Sequence, residues 1–271
     1  MLSLLKLDFK NCINSFKFKI SFLSILTISL ISYIGICTQY FNSTSIKLVN
    51  TNKLSLIMNI NLRQLYFLLL FALPLISVFI YSDSYIYEKE NNICNYYFVR
   101  TDKNLYFLSK IIINFVVVFF TIFIGLSINE LLTQIAIPNI GVLSDSGTPA
   151  YQYVLNNKKI AGKFYNDLFI SHPFFYNYFI IFITSIFCSL ISVISFNISL
   201  LFRMKKVTLM IITFLIVNIS VFILPIKYQF QMYIQAYPNT LNDFYMVLLG
   251  WIGIFIISMI IGLWRSNKIY D

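Results

Sequence analysis

The chain has 271 residues, of which 59% are hydrophobic, 18% are aromatic and only 11% are charged, and its formal net charge is +10. This composition excludes a water-soluble domain, because too few polar side chains remain to cover a soluble surface. The positive charge does not indicate nucleic-acid binding, because the basic residues stand at the ends of long apolar runs, where they contact anionic lipid head groups. We therefore predict one all-α membrane domain covering residues 1–271.

Residues 1–19 are amphipathic, because their apolar side chains recur at spacings of three and four. These are Leu2, Leu5, Phe9, Cys12 and Phe16. Two compatible interpretations fit: a helix lying in the membrane interface, and a basic anchor for the apolar run that follows. That run is longer than the core of a signal peptide and has no A-x-A-like site after Tyr40, so we expect it to be retained.

Six uncharged runs are long enough to cross a hydrocarbon core of about 30 Å, which takes about 20 apolar residues in a helix. The predicted spans are residues 20–41, 64–82, 111–137, 174–202, 207–226 and 244–264. Of the 20 Lys and Arg residues, 13 lie on one side of these spans, in segments 1–19, 83–110, 203–206 and 265–271. Because cytoplasmic segments carry the excess of basic residues, we place this side and both chain ends in the cytoplasm, and the protein in the cell (plasma) membrane.

The second span contains Pro74, which is expected to kink its helix. Glu88 and Glu90 indicate that this helix continues beyond the membrane. Asn91 and Asn92 predict a break after it, because asparagine tolerates the left-handed backbone conformation better than most residues.

A short helix is predicted after this break, and Thr101 is predicted to cap the helix of the third span. The exposed face of the short helix is expected to hold Ile93, Tyr96, Tyr97 and Arg100. An apolar face outside a span must contact either lipid head groups or a partner protein, and the sequence leaves both interpretations open.

The spans contain few polar groups with an evident role. Glu130, the only carboxylate within a predicted span, lies roughly 28 Å beyond Ile111, so we expect it at the outer interface with its carboxylate in water. The fourth span carries serines on one helical face, which favours close helix packing over a polar path. These are Ser185, Ser189, Ser192, Ser195 and Ser199.

The outer segments differ in character. Residues 138–172 have no readable role, and His172 is expected in this loop. The aromatic density of residues 227–243 predicts an interfacial or re-entrant helix before the sixth span.

No catalytic or metal site is predicted. A lone histidine cannot form a paired-histidine zinc site, and no two glycines have the separation found in a G-x-x-x-x-G-K-[ST] phosphate loop. The four cysteines offer no disulfide framework, since two lie within spans. We therefore expect a protein that is not an enzyme and binds no cofactor itself.

Residues 82–93 read Ser-Asp-Ser-Tyr-Ile-Tyr-Glu-Lys-Glu-Asn-Asn-Ile. This segment resembles the type-2 ATP-binding cassette (ABC-2) transporters, in which a Glu-x-Glu pair ends the second span before a Gly-Thr-like turn and a coupling helix. Asn92 and Ile93 here replace the glycine and threonine. The amphipathic start, the six spans, Lys110 opening the third span and the aromatic segment before the sixth extend the resemblance over almost the whole chain.

The resemblance implies the permease subunit of an exporter, which pairs with a second permease subunit, identical or different, and binds a separate cytoplasmic ATPase carrying ATP and Mg²⁺. It implies a hydrophobic or amphipathic cargo, such as a peptide antibiotic, a lipid-like compound or a drug, as in bacteriocin export or immunity. Glu88 and Glu90 would make polar contacts with the ATPase, and Ile93, Tyr96 and Tyr97 would enter its apolar groove. Asn92 and Arg100 complete the predicted coupling residues, and no substrate-binding residue is assigned.

Two other functions compete with this one. A stand-alone binding or immunity protein could trap a membrane-active peptide with its aromatic outer loops, and it would need no ATPase. A membrane enzyme acting on lipids would need convergent polar residues at one depth, which the sequence does not show.

Overall fold

A computed structural model gives the fold of residues 1–41, 55–57, 62–136, 168, 172–202, 204–225, 228–234 and 244–268. These described residues form ten helices and no strand. The helices are α1 (Leu2–Asn14), α2 (Phe16–Tyr40), α3 (Arg63–Tyr81), α4 (Ser84–Glu90), α5 (Ile93–Arg100), α6 (Lys103–Ala136), α7 (Pro173–Leu201), α8 (Lys206–Ile223), α9 (Phe230–Ile234) and α10 (Phe244–Lys268).

Six of these helices are long and apolar enough to cross a membrane, namely α2, α3, α6, α7, α8 and α10. The chain is therefore an all-α membrane protein, as predicted. The helix of the third span begins at Lys103, before the predicted start of that span. With 34 residues, α6 is about 50 Å long, so it extends beyond a hydrocarbon core of about 30 Å.

Helix α7 forms the centre of the bundle and packs against α3, α6 and α10. All five serines predicted to lie on one of its faces are buried. The Ser192 hydroxyl lies 2.8 Å from the Ser77 carbonyl oxygen of α3 and 2.9 Å from Asn114 Oδ1 of α6, so it joins three spans. The other four hydroxyls donate to carbonyls of their own helix. The prediction of close helix packing is confirmed.

Helices α2 and α6 pack closely at a glycine. The Ser29 hydroxyl of α2 donates to the Gly125 carbonyl of α6 over 2.8 Å. A Cβ atom at position 125 would lie 2.5 Å from Ile25 Cγ2 and 3.2 Å from Ile25 Cβ. Because isoleucine is branched at Cβ and stiff at χ1, this side chain cannot easily move away.

The expectation that the Glu130 carboxylate reaches water is wrong. The side chain is only 2% exposed. Asn177 Nδ2 of α7 lies 3.2 Å from both of its carboxylate oxygens, and Gln134 Nε2 lies 3.1 Å from one of them. Counting residues along the span gave the depth of Glu130, but it could not show that this face of α6 packs against α7.

The aromatic segment before α10 is described only in part. Its helix α9 buries Phe230, whose ring centroid lies 5.3 Å from that of Phe187 and 5.1 Å from that of Trp251. The Tyr66 hydroxyl of α3 donates to the Ile234 carbonyl over 2.7 Å, so α9 is packed against the spans. Of the predicted segment 227–243, residues 227 and 235–243 lie outside the described residues, as does most of the 138–172 segment.

Gly125→Ala tests the close approach of α2 and α6. The added methyl group should force the two helices apart at Ile25 and lower stability by about 1–3 kcal/mol, the usual cost of overpacking. Thermal unfolding of the purified protein in detergent measures the change. Gly253→Ala is the matched control, because no other helix of the described structure comes within 4 Å of the added Cβ atom. Equal melting temperatures for the two variants would contradict the packing.

Candidate functional site

Helices α3, α4 and α5 follow one another with only two residues between each pair. After α3 ends at Tyr81, Ser82 keeps helical backbone angles and α4 begins at Ser84, so helical structure continues to Glu90 as predicted. Asn92 has φ 57° and ψ 17°, the only positive φ outside glycine among the described residues. The predicted break at the asparagines is therefore confirmed, and α5 begins at Ile93.

Thr101 does not cap the third span. Its backbone N–H and its hydroxyl both donate to the Tyr97 carbonyl oxygen over 2.9 Å, which ends α5. Helix α6 begins two residues later, at Lys103. A threonine between two helices can donate hydrogen bonds to the last carbonyls of the first helix or accept them from the first amides of the second. Thr101 has an extended backbone and donates to α5.

A buried lysine lies where α1, α4 and α6 meet. The Lys110 side chain of α6 is 0% exposed, and its Nζ lies 2.6 Å from Glu88 Oε1 of α4 and 3.3 Å from Asp8 Oδ1 of α1. The Nζ also lies 4.9 Å from the ring centroid of Tyr106 and 5.5 Å from that of Tyr81. One ammonium group thus contacts side chains from four separate helices.

Hydroxyl groups supply the remaining hydrogen bonds of the two carboxylates. Ser109 Oγ donates to Asp8 Oδ2 over 2.7 Å, and the Tyr81 hydroxyl donates to Asp8 Oδ1 over 3.2 Å. The Tyr106 hydroxyl donates to Glu88. Two carboxylates share one lysine, so the group carries a formal excess of one negative charge, which these hydroxyls help to stabilise. We call Asp8, Tyr81, Glu88, Tyr106, Ser109 and Lys110 the ionic cluster.

The ionic cluster determines which side of α1 faces the bundle. Asp8 and Cys12 are buried, whereas Leu2, Phe9 and Phe16 from the predicted apolar face are exposed. The apolar pattern predicted the helix correctly. It did not predict that Asp8 lies on the buried face, because the partners of this carboxylate lie far away in the sequence. Burial, with a smaller contribution from the Asp8 charge, raises the pKa of the Cys12 thiol to about 12.

Two further ion pairs attach α4 and the residue before it to neighbouring helices. Lys17 at the start of α2 pairs with Asp83, which immediately precedes α4. Lys206 at the start of α8 lies 3.1 Å from Glu90 Oε2 and 4.9 Å from the ring centroid of Tyr87. Together with Lys110, these lysines attach α4 to α2, α6 and α8.

The two glutamates predicted to contact an ATPase have different environments. Glu88 points inward, and Lys110 and Tyr106 occupy its carboxylate, so it does not present this group at the surface. Glu90 is exposed and pairs with Lys206. The spacing of the two glutamates explains the difference, because residues two apart in a helix point in different directions.

The predicted residues of α5 lie only partly on one exposed face. Asn92, Tyr96 and Arg100 are exposed, and Tyr96 has 75% of its surface accessible. Ile93 is half-buried, and so is Tyr97, whose ring centroid lies 5.4 Å from that of Tyr106. Burial, followed by the negative charge of Glu88, raises the pKa of the Tyr97 hydroxyl.

Sequence reasoning missed Val99, which is 87% exposed. Its spacing of three residues from Tyr96 could have placed it on the same helical face. We call the exposed residues Asn92, Tyr96, Val99 and Arg100 the α5 surface. No local sequence pattern could predict the contact of Lys110 with Asp8, because 102 positions separate the two residues.

Lys110→Met tests the ionic cluster. It should lower stability by about 3–5 kcal/mol, because Asp8 and Glu88 would remain buried without a counter-charge. Lys206→Met, which removes a more exposed pair, should cost only about 0–1 kcal/mol and serves as the matched control. Thermal unfolding in detergent at neutral pH compares the two variants. Similar losses in both would contradict the special position of Lys110.

Comparisons with protein-family models, with curated proteins and with solved structures found no match for this chain. The resemblance to ABC-2 transporters therefore rests on the residues of the chain itself.

Proposed function

We propose that this chain is the membrane-spanning permease subunit of an ATP-binding cassette exporter that moves a hydrophobic or amphipathic compound. ATP would be hydrolysed by a separate cytoplasmic subunit bound at the α5 surface. One observation carries the proposal. Helix α5 lies outside the spans and exposes large apolar side chains, and the preceding helix α4 is attached to the bundle by the buried pair of Glu88 and Lys110.

The α5 surface has the chemistry of a protein-binding site. Tyr96 and Val99 expose large apolar groups next to Arg100 on one face of an eight-residue helix. Tyrosine and arginine are enriched among the residues that dominate binding energy at protein interfaces, and contiguous exposed apolar groups commonly mark such interfaces. Glu90, one turn before α5, adds an exposed carboxylate at the edge of this surface.

The contacts beneath α5 would transmit a push from a partner into the spans. The Phe98 ring centroid of α5 lies 5.2 Å from that of Tyr106 and 6.1 Å from that of Phe107, both in α6. Tyr106 also bonds Glu88 of α4, which holds Lys110. Closure of an ATPase pair on α5 would thus move α4 and α6 together and shift the bundle between two states.

The proposal includes an orientation and a second permease subunit. Lys17, Lys110 and Lys206 lie at the same end of the bundle as the α5 surface, which supports a cytoplasmic location for that end and for both chain termini. Much of the apolar surface of α8 and α10 is exposed. Lipid and a second permease subunit, identical or different, would cover it.

Affinity purification from native membranes tests this function. The tagged chain should recover an ATPase with a phosphate-loop motif in near-stoichiometric amount, identified by mass spectrometry. Tyr96→Ala combined with Val99→Ala should lower this recovery by roughly ten-fold or more, because interface anchors commonly contribute about 2 kcal/mol or more each. Membrane insertion and melting temperature should change little, since both side chains are exposed.

Tyr245→Ala is the matched control, because it removes an exposed tyrosine near the start of α10, at the opposite end of the bundle. ATPase recovery with this variant should equal that of the wild type. If no ATPase accompanies the wild type, or if the double variant retains it fully, the transport proposal fails. A wild type that instead binds a membrane-active peptide without any ATPase would favour the stand-alone binding protein.

A further inference from the structure

Helix α1 is attached to the bundle by one face only. Asp8 and Cys12 are buried, and the Asp8 carboxylate contacts Ser109 and Lys110 of α6. Much of the remaining surface of α1 is exposed, and its apolar and polar side chains lie on different sides of the helix. The transport proposal assigns no role to this exposed surface.

The exposed apolar side chains form one stripe along α1. In a helix that turns by about 100° per residue, Leu2, Leu5, Phe9 and Ile13 fall within an arc of about 80°. Leu2 is 84% exposed and Phe9 is 43% exposed, while Leu5 and Ile13 are half-buried at the two edges of the arc. We call these four residues the α1 stripe. Contact of so much apolar surface with water is unfavourable, so lipid or protein must cover the stripe.

The polar side of α1 faces helices α4 and α5. Asn11 and Asn14 line a cavity together with Tyr97 of α5, and Ser3 lines a groove together with Arg100 of α5. This side lies roughly 160° around the helix from the centre of the α1 stripe. The stripe therefore points away from α4 and α5, towards the lipid that surrounds the spans. The polar side holds Ser3, Leu7, Asn11 and Asn14.

Helix α1 lies at the level where two spans begin. Its Asp8 contacts Ser109 and Lys110, which directly precede the predicted third span, and only Ser15 separates α1 from the membrane helix α2. The ends of membrane-spanning helices stand at the level of the lipid head groups. The α1 stripe is thus continuous with the lipid-covered part of the bundle, which favours lipid over a partner protein.

The charges that α1 exposes are positive. Lys6 and Lys10 are exposed and lie between the α1 stripe and the polar side of the helix. Asp8, the only acidic residue of α1, is buried and paired with Lys110. Lysines beside an apolar stripe can keep their methylene groups against acyl chains while their ammonium groups reach the head groups. This arrangement complements a leaflet that carries anionic lipids.

We propose that the exposed face of α1 binds the surface of an anionic lipid leaflet. The α1 stripe enters the boundary between head groups and acyl chains, and Lys6 and Lys10 contact the negatively charged head groups. A zwitterionic head group has no net charge to attract the two lysines, so anionic lipid is enriched beside α1. The proposal is independent of the transport function.

Spin labels on α1 test which face contacts lipid. Leu2→Cys, Phe9→Cys and Asn11→Cys each provide one labelling site in the full chain carrying Cys37→Ser, because the other three natural cysteines are buried. The labelled protein is placed in lipid nanodiscs, and its collisions with oxygen, which concentrates in lipid, are compared with those of a water-soluble nickel chelate. Labels at positions 2 and 9 should favour oxygen. The label at position 11, on the polar side, is the matched control and should favour the chelate.

A fluorescent label at position 9 tests the preference for anionic lipid. Its quenching by brominated phosphatidylglycerol is compared with its quenching by brominated phosphatidylcholine of identical acyl chains in mixed nanodiscs. The anionic lipid should be enriched roughly five-fold or more beside the label, since each nearby lysine contributes a factor of about five. Lys6→Gln combined with Lys10→Gln should remove most of this enrichment. Lys6→Arg combined with Lys10→Arg is the matched control and should retain it, because the charges remain.

Labels at positions 2 and 9 that favour the nickel chelate would overturn the proposal. Equal quenching by the two lipids with both lysines present would do so too, as would full enrichment in the glutamine variant. If both labels were shielded from oxygen and chelate in native membranes but open in nanodiscs, a protein would cover the stripe and the proposal would fail. Should the glutamine variant fail to insert, the comparison of the two lipids with both lysines present decides.

Discussion

The ammonium group of Lys110 is fully enclosed by protein, and this single buried charge controls how α1, α4 and α6 meet. Removing a charge from water costs several kcal/mol unless partners compensate it, so the carboxylates of Asp8 and Glu88 must remain close. Helix α1 therefore stays against α4 and α6, although it lies far from both in the sequence. The position of α5 follows, because α5 packs on Tyr106 and Phe107 of α6 and is joined to α4 by only Asn91 and Asn92.

This arrangement sets which side chains of α4 and α5 remain exposed. The α5 surface exposes Tyr96, Val99 and Arg100, the groups that would bind the proposed partner protein, whereas Glu88 points into the bundle. The orientation of this surface depends on the ionic cluster, since Tyr106 of the cluster packs against Phe98 of α5 and bonds Glu88 of α4.

Local sequence patterns predicted the helices well. Long apolar runs located all six spans, and the asparagine pair located the left-handed break at Asn92, because both signals act within a few residues. The serine stripe of α7 was also predicted to pack, since small side chains at helical spacing permit close approach. These features need no knowledge of the partner helix.

Contacts between distant residues could not be predicted in this way. Asp8 is an unremarkable acidic residue in the sequence and becomes buried only because α6 supplies Ser109 and Lys110. Glu130 was expected in water, yet Asn177 of α7 encloses it. The inward position of Glu88 has the same origin, since its direction depends on Lys110 and Tyr106. These buried positions hold charged residues, so a search for apolar patterns could not identify them as part of the core.

A double-mutant cycle on the two carboxylates tests the central role of Lys110 most directly. Asp8→Asn or Glu88→Gln alone leaves one carboxylate for the lysine, so each should cost little, whereas the combined variant leaves a buried charge unpaired. The account predicts that the combined variant loses about 2 kcal/mol or more beyond the sum of the single losses in free energy of unfolding. Losses that add to within about 0.5 kcal/mol would contradict it.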